Sequence, residues 1–329
     1  MSTLITGAAG FVGLNLTESL LRRGDDVVVF DARPDLPSDA TDAFRDLPGS
    51  LAYVRGDVLD ADAMLAAVTE HGVRRFVHAA VITPGPDRET RDFQTIAEVN
   101  YLGTVRAIDA AVRGEVERFL YPSSASVYGD TSFEEPTLKE DVTHPVPNAV
   151  YGIAKYAAER TALRAHDLFG LDARVARIGA VFGPWEHPTG LRDTLSGPML
   201  ASRLAHHGEE VVLSRPGPRD WVYARDVAGA LAAILDAEDP PHRLYNVSSG
   251  IRWTMQDWCE HAAAHDPSFR WRLADDPAEA NVRFGPRDRS PLDVERLTSE
   301  LYRPRFGLAE AYDDYRSWIE ERSDFWTRT

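Results

Sequence analysis

A tyrosine and a lysine four residues apart carry the clearest chemical signal in this sequence. In the segment Tyr151-Gly152-Ile153-Ala154-Lys155, the phenol and the ammonium lie on one face of a helix. A free phenol has a pKa of about 10, and a nearby ammonium favours the phenolate. Tyr151 can therefore act as a general base near pH 7. The chain keeps only two lysines, Lys139 and Lys155, and a compact ammonium suits this role better than a guanidinium does.

A serine-rich segment follows a predicted strand and supplies a second chemical group. It runs Ser123-Ser124-Ala125-Ser126. The carboxyl end of a strand is where parallel α/β sheets bind their ligands. A serine hydroxyl at this place can bond the reacting oxygen and relay a proton to Tyr151. The spacing leaves open whether Ser123 or Ser124 does so.

Three glycines separate the first predicted strand from the first predicted helix. Gly7 permits a tight turn, Gly10 lets the backbone approach a pyrophosphate, and Gly13 allows close packing of the helix on the strand. Phe11 and Val12 open the helix, whose N-terminal N–H groups attract phosphates. The loop therefore predicts a dinucleotide site.

An aspartate at the end of the second predicted strand indicates which dinucleotide is bound. Asp31 lies 18 residues beyond Gly13, where a carboxylate accepts both adenosine ribose hydroxyls of NAD and repels a 2′-phosphate. Arg33, two residues further on, could weaken the preference for NAD over NADP. Asp57 and Val58 follow the third strand and are expected to flank the adenine. We predict NAD rather than NADP.

The elements that must position these groups alternate between strands and helices. This alternation predicts an α/β fold, a Rossmann-like doubly wound parallel sheet with a smaller C-terminal mixed α/β substrate lobe. We assign residues 1–180 to the NAD-binding domain and 181–329 to the substrate-binding lobe, with parts returning to the core sheet. Long helices are predicted over 92–113 and 149–169. The predicted strands are residues 2–6, 26–30, 51–55, 75–78, 116–121 and 173–178.

Composition excludes several classes of function. The formal net charge of −16 argues against a nucleic-acid partner, which requires a basic surface. Cys259 is the only cysteine, so no internal disulfide forms and a reducing compartment is expected. No apolar run approaches the roughly 18 residues of a membrane span. We expect a cytoplasmic protein without a membrane partner or a metal site.

Taken in order, these motifs resemble the extended short-chain dehydrogenases/reductases, the NAD-dependent epimerase/dehydratase group that includes UDP-galactose 4-epimerase. The resemblance implies that Ser124, rather than Ser123, is catalytic together with Tyr151 and Lys155. It also implies that Asn100 anchors the active-site helix geometry. In this group the two long helices form an intersubunit four-helix bundle, so a homodimer is expected.

The resemblance also extends to the residues that bind the cofactor and the substrate. Arg219 matches the arginine that meets the substrate diphosphate, and Arg283 has the spacing of a second one, for which Arg287 and Arg289 compete. The expected cofactor-binding residues are Gly7, Gly10, Phe11, Val12, Asp31, Arg33, Asp57, Val58, Ala79, Ala80, Asn100, Tyr151, Lys155, Ile178 and Val181. The expected substrate-binding residues are Thr83, Ser124, Ser126, Ala180, His187, Arg192, Arg219 and Arg283.

Differences between this sequence and other members of the group reduce the number of reactions that the enzyme can catalyse. The 4,6-dehydratases carry Asp-Glu where this chain has Ala125-Ser126, and the decarboxylases carry a Glu in the same stretch. The cysteine of the fucose-synthase group has no counterpart near Ser124. Of the reactions in this group, oxidation at one carbinol is the one that the sequence still supports. We expect an epimerase acting on an anionic nucleotide sugar, at C4 through a transient ketone.

Two alternatives remain open. The first is an NAD-dependent dehydrogenase of a free sugar, polyol or hydroxy acid that releases NADH, and Ala180 favours it, since many sugar-nucleotide enzymes have asparagine there. The second is a non-catalytic dinucleotide-binding sensor, which would not need Ser124, Tyr151 and Lys155.

Overall fold

The computed structural model describes residues 1–188 and 190–322 of the chain. Its strands are β1 (Ser2–Thr6), β2 (Asp26–Asp31), β3 (Leu51–Arg55), β4 (Arg75–His78), β5 (Arg118–Ser124), β6 (Asp172–Ile178), β7 (Ala180–Phe182), β8 (Val211–Leu213), β9 (Trp221–Tyr223), β10 (Leu244–Val247) and β11 (Trp271–Leu273). Its α-helices are α1 (Phe11–Arg22), α2 (Ser38–Phe44), α3 (Ala61–Glu70), α4 (Pro86–Ala97), α5 (Gly103–Arg113), α6 (Val150–Phe169), α7 (Gly197–His206), α8 (Ala224–Asp236), α9 (Met255–His265), α10 (Glu295–Glu300) and α11 (Leu308–Glu321). Among these residues, no helix is both long and apolar enough to cross a bilayer.

Seven of the strands form one parallel sheet in the order β10-β6-β5-β4-β1-β2-β3. The chain builds outward from β1 to β3 and then crosses back to β4 on the other side of β1. This reversal opens a crevice at the carboxyl ends of β1 and β4, where doubly wound sheets bind ligands. The predicted Rossmann-like doubly wound fold is confirmed.

Side chains of successive residues in β1 and β2 pack on opposite faces of the sheet, as a sheet covered on both sides requires. Ile5 and Val29 join the cluster that contains α1 and α8. Leu4 and Val28 join the cluster that contains α3, α5 and α6. Both faces are therefore buried, and ligands have access to the sheet only from its ends.

The helix predicted over residues 92–113 is longer and less regular than expected. It begins at Pro86, which occupies the first turn of α4, where a proline's missing N–H costs nothing. Asp92 has non-helical angles, φ −118° and ψ 23°, and marks a kink. A π-helix, Glu98–Leu102, then separates α4 from α5. Periodicity alone did not show this, because the apolar spacing continues through the π-helix.

The C-terminal half does not form a continuous lobe. β10 pairs with β6 in the core sheet, and α8 packs on the core face that α1 covers. The remaining strands form two small parallel pairs, β7 with β9 and β8 with β11. These segments cover the carboxyl ends of the core strands.

Candidate active site

A cleft of about 750 Å³ lies between the ends of the core strands and the C-terminal segments. Its lining combines predicted site residues from both halves. From the core come Val12, Ala79, Thr83, Ser124, Ser126, Tyr151, Lys155 and Ile178, and from the segments beyond come Ala180, Val181, Arg192, Arg219 and Arg283.

Ser124 is the last residue of β5, and the chain turns directly after it. Its Oγ accepts a hydrogen bond from the backbone N–H of Ser126 at 3.1 Å, which caps a short 3₁₀-helix. On the facing helix α6, a Cβ added to Gly152 would lie 2.7 Å from the carbonyl oxygen of Ser126. Only glycine permits this approach, and it brings Tyr151 beside Ser124.

Several neighbouring groups affect the pKa of the Tyr151 phenol. Burial raises the pKa of its phenol, while hydrogen bonding from the Ser124 hydroxyl, the positive charge of Arg192 and hydrogen bonding from the Thr83 hydroxyl lower it. The two hydroxyls converge on the phenol from β5 and from the loop after β4. Tyr151 and Ser124 can therefore share one substrate oxygen.

Lys155 lies deep beneath Tyr151. Its Nζ donates a hydrogen bond to the carbonyl oxygen of Pro122 at 2.7 Å and lies 4.6 Å from the centroid of the Tyr121 ring. Burial lowers the pKa of this amine to about 7, and the charge of Glu159 opposes that effect. The groups that lower the pKa of Tyr151 are thus Ser124, Arg192 and Thr83, while Lys155 is directed at the β5 backbone.

Asn100 ties the π-helix to the loop after β4. Its Oδ1 accepts from the backbone N–H of Ile82 at 2.8 Å, and its Nδ2 donates to the carbonyl oxygen of Ile82 at 2.9 Å. π-helical turns often occur at functional sites because they redirect side chains. Here the paired bonds fix the residue that precedes Thr83, and the role expected for Asn100 in the geometry of the active-site helix stays a prediction.

The glycine loop fits a dinucleotide. Gly7 has φ +66°, and a Cβ there would lie 2.5 Å from the Cα of Ala80. Helix α1 begins at Phe11, and its N-cap residue Gly10 supplies no side-chain cap, so its first N–H groups remain available to a phosphate. The Asp31 carboxylate is buried at the end of β2 and accepts from the backbone N–H of Ala9 at 3.2 Å and of Arg33 at 3.1 Å. The carboxylate therefore lies directly against the glycine loop that precedes α1.

Three expected site residues have other surroundings. Asp57 is exposed and its carboxylate accepts from the backbone N–H of Leu59 at 2.9 Å, the pattern of a local turn. Val58 is buried against α5 at Gly103. His187 lies outside the cleft lining, near Arg33 and thus toward the adenosine end; burial lowers the pKa of its ring.

Arg219 and Arg289 form the basic end of the cleft. Burial, followed by the positive charge of Arg289, lowers the pKa of Arg219, so two like charges face the same space. Arg283 also lines the cleft, but its guanidinium donates to the carbonyl oxygens of Ala280 and Ala278, both at 2.8 Å. Arg287 stacks over Phe133 and lies outside the lining. Of the three competing arginines, Arg289 has the position that complements Arg219.

Glu186 is a site residue that the sequence reasoning missed. Its buried carboxylate accepts from Arg192 Nη2 at 3.1 Å and from the backbone N–H and hydroxyl of Ser196 at 2.8 and 2.5 Å. Burial raises the pKa of this carboxyl, and Arg192 opposes the effect. The contacts hold Arg192 toward Tyr151. No local pattern marks such a residue, because its role depends on contacts within an irregular segment.

The sheet, the glycine loop and the Ser-Tyr-Lys arrangement define a dinucleotide-dependent enzyme of the extended short-chain dehydrogenase type. A sequence profile of the NAD dependent epimerase/dehydratase family matches residues 3–248. The chain belongs to this family, and its cofactor is NAD.

Relatives in this family carry out more than one reaction. The chain is 28% identical to a dTDP-L-rhamnose 4-epimerase from Burkholderia thailandensis, over 98% of this chain and 95% of the relative. It is also 28% identical to a dTDP-glucose 4,6-dehydratase from Streptomyces antibioticus, over 99% and 94% of the two chains. Among solved structures, MoeE5 in complex with UDP-glucuronic acid and NAD is 28% identical with a TM-score of 0.76, covering 98% of this chain and 100% of that one.

Proposed function

We propose that this enzyme is an NAD-dependent 4-epimerase of a nucleotide sugar. The observation that carries the proposal is the pair Ala125-Ser126 directly after the catalytic serine, at the point where the dehydratases of the family have an acid and a base. With Ser124 and Tyr151 on one oxygen, the site is equipped to remove and return a carbinol proton and lacks a second acid–base pair at this place.

The residues of the chain divide the proton chemistry between them. Tyr151, as phenolate, takes the proton from the C4 hydroxyl, while the Ser124 hydroxyl bonds the same oxygen. Thr83 supplies a further hydroxyl at the phenol. We expect the Lys155 ammonium to release the Pro122 carbonyl oxygen and to hold the nicotinamide ribose when NAD binds. Bound NAD supplies the hydride acceptor, and epimerisation requires that the 4-ketone stay bound and turn within the cleft.

Two carboxylates line the cleft, those of Glu89 and Asp193, and their contacts argue against a role in dehydration. Asp193 Oδ2 accepts from the backbone N–H of Gly85 at 3.0 Å and from Arg88 Nε at 2.7 Å, and these bonds lower the pKa of its carboxyl. Glu89 Oε1 accepts a hydrogen bond from the backbone N–H of Val150, at the first residue of α6. Since α6 has no other side-chain cap, the carboxylate compensates the positive end of the helix. A general acid for water elimination must be protonated, and these positions favour the anion.

The basic end of the cleft supports an anionic substrate. Arg219 and Arg289 face each other in partly desolvated positions, and a diphosphate between them would replace repulsion by charge-assisted hydrogen bonds. This arrangement favours a nucleotide sugar over a free sugar or polyol.

Product analysis tests the proposal. The purified enzyme is incubated separately with UDP-glucose, UDP-glucuronic acid and dTDP-glucose, and each mixture is followed by ¹H NMR and by absorbance of NADH. We expect one of these to give its C4 epimer without accumulation of NADH. A 4-keto-6-deoxy product would make the enzyme a dehydratase, and stoichiometric NADH would make it a dehydrogenase.

We also propose that the enzyme is a homodimer joined through α4, the π-helix and α6. These elements expose five large apolar side chains, at 47% to 60%: Phe93, Leu102, Ile153, Leu168 and Phe169. In an isologous four-helix interface, each of the two chains would bury these side chains against the other chain. Light scattering should give twice the chain mass. Ile153→Glu should lower it, whereas Val142→Glu, at an exposed loop residue, should leave it unchanged.

A further inference from the structure

Two histidines and an aspartate meet on the surface of the C-terminal segments. His261 and His265 lie one turn apart on α9, with ring centroids 4.2 Å apart. Asp313 faces them from α11. One ligand atom from each of the three residues lies within 4.8 Å of the others. This group lies outside the residues that line the active-site cleft.

Both imidazoles have defined orientations. His265 Nδ1 lies 2.8 Å from the carbonyl oxygen of His261, so an N–H at Nδ1 donates there and leaves Nε2 as a ligand atom. Such a bond from the second ring nitrogen to a carbonyl is typical of metal-binding histidines. His261 Nε2 is buried and has no hydrogen-bond partner among the described residues. The Tyr312 ring packs against both, at centroid distances of 5.0 and 5.8 Å.

We propose that His261, His265 and Asp313 bind a divalent transition metal, with Zn²⁺ as the best match. Two nitrogens and one carboxylate oxygen suit zinc, and they are poor ligands for calcium and magnesium, which take oxygen. Zinc bonds of about 2.0–2.2 Å require the three atoms to approach one another more closely than they do here. Rotation of the exposed His265 and Asp313 side chains can bring this about, and water completes the tetrahedron.

The bound metal would clamp α9 to α11. The packing of α11 explains why this matters: its Trp318 lies edge-on to Trp185, with centroids 5.2 Å apart, and Trp185 Nε1 donates to Glu18 of α1. A clamp on α11 therefore stabilises the attachment of the C-terminal segments to the core. The role is structural, and it is independent of the reaction that the enzyme catalyses.

Calorimetric titration tests the site on tag-free, NAD-loaded enzyme with ZnCl₂ in a non-chelating buffer. We expect one zinc per chain and a rise in Tm on binding. His261→Ala/His265→Ala and Asp313→Asn should each weaken binding by at least about tenfold. The matched control is His206→Ala/His207→Ala, which removes an exposed histidine pair on and beside α7. Among residues 1–188 and 190–322, this pair belongs to no such group of three.

Cobalt provides a second readout that does not depend on stability. Co²⁺ bound by two imidazoles and a carboxylate gives visible absorption bands of a tetrahedral site, and Asp313→Asn should weaken them. Asp313 is exposed, so its isosteric replacement leaves the fold intact, as circular dichroism can verify. Zinc binding that is absent in the wild type, or equal in the wild type and all the variants, would overturn the proposal. Neither result depends on epimerase activity.

Discussion

Residues 1–178 and residues 180–322 build the enzyme in different ways. In the first part each strand of the core sheet except β6 is followed along the chain by an α-helix. In the second part the chain leaves the core, returns as α8 and β10, and otherwise forms strands of three residues and the helices α7, α9, α10 and α11. We propose that the first part binds the cofactor. It carries Ser124 and Tyr151, whereas the second part supplies the arginines at the other end of the cleft. Chemistry and substrate recognition therefore depend on separable parts of the sequence.

The largest effect on activity should come from a substitution in the first part of the chain. Tyr151→Phe removes the proton acceptor and keeps the ring, so kcat should fall by about 10²–10⁴-fold or more, a typical contribution of general base catalysis. NAD affinity, measured by fluorescence titration, should stay within about twofold because the glycine loop and Asp31 are unchanged. A variant that keeps wild-type turnover would remove Tyr151 from the mechanism.

A buried ion pair under the catalytic serine should dominate stability. Arg177 Nη2 lies 2.5 Å from Glu159 Oε1, both groups are buried, and Ser123 donates to the same carboxylate. Arg177→Met leaves that carboxylate unpaired, which should lower the free energy of unfolding by about 3–5 kcal/mol. Urea denaturation measures the change. The exposed Arg160→Met on α6 should cost about 0.5 kcal/mol or less, and equal effects would mean that the pair contributes little.

A smaller effect is expected from the second part of the chain. Arg219→Met should raise KM for the nucleotide sugar by about 10–100-fold, the worth of one or two hydrogen bonds to a charged group, with kcat within a few-fold of wild type. Initial rates over a range of substrate concentrations give both constants. A fall in kcat with unchanged KM would show that recognition and chemistry are not divided as described.

The smallest effect is expected from Arg192, a residue of the second part that acts on Tyr151 in the first part. The positive charge of Arg192 lowers the pKa of Tyr151, and a base is active only above its pKa. Arg192→Met should therefore raise that pKa and move the rising limb of the kcat/KM profile to higher pH. The measurement is a pH–rate profile beside Arg160→Met as control. An unchanged midpoint would show that Arg192 acts only through substrate binding.

How far the sequence predicted the molecule follows the same division. Strands β1, β3 and β4 have the predicted bounds because local apolar runs between turns specify them. Tyr151 and the serine-rich turn after β5 were predicted from local spacing, whereas the choice of Ser124 over Ser123 came from the resemblance to the extended short-chain dehydrogenases/reductases. The role of Glu186 and the position of Arg289 were not predictable, since each depends on contacts between distant segments. The π-helix at Asn100 was also missed, because one added residue in a helical turn leaves the apolar periodicity almost unchanged.

Isotope tracing tests the central claim most directly, which is that one site oxidises C4 and returns the same hydrogen to the opposite face. The nucleotide sugar that is turned over in the NMR screen is supplied with deuterium at C4 and with excess unlabelled NAD. We predict that the epimer retains the deuterium and that free NADH stays unlabelled. Deuterium in free NADH, or its loss from the product to solvent, would contradict the account.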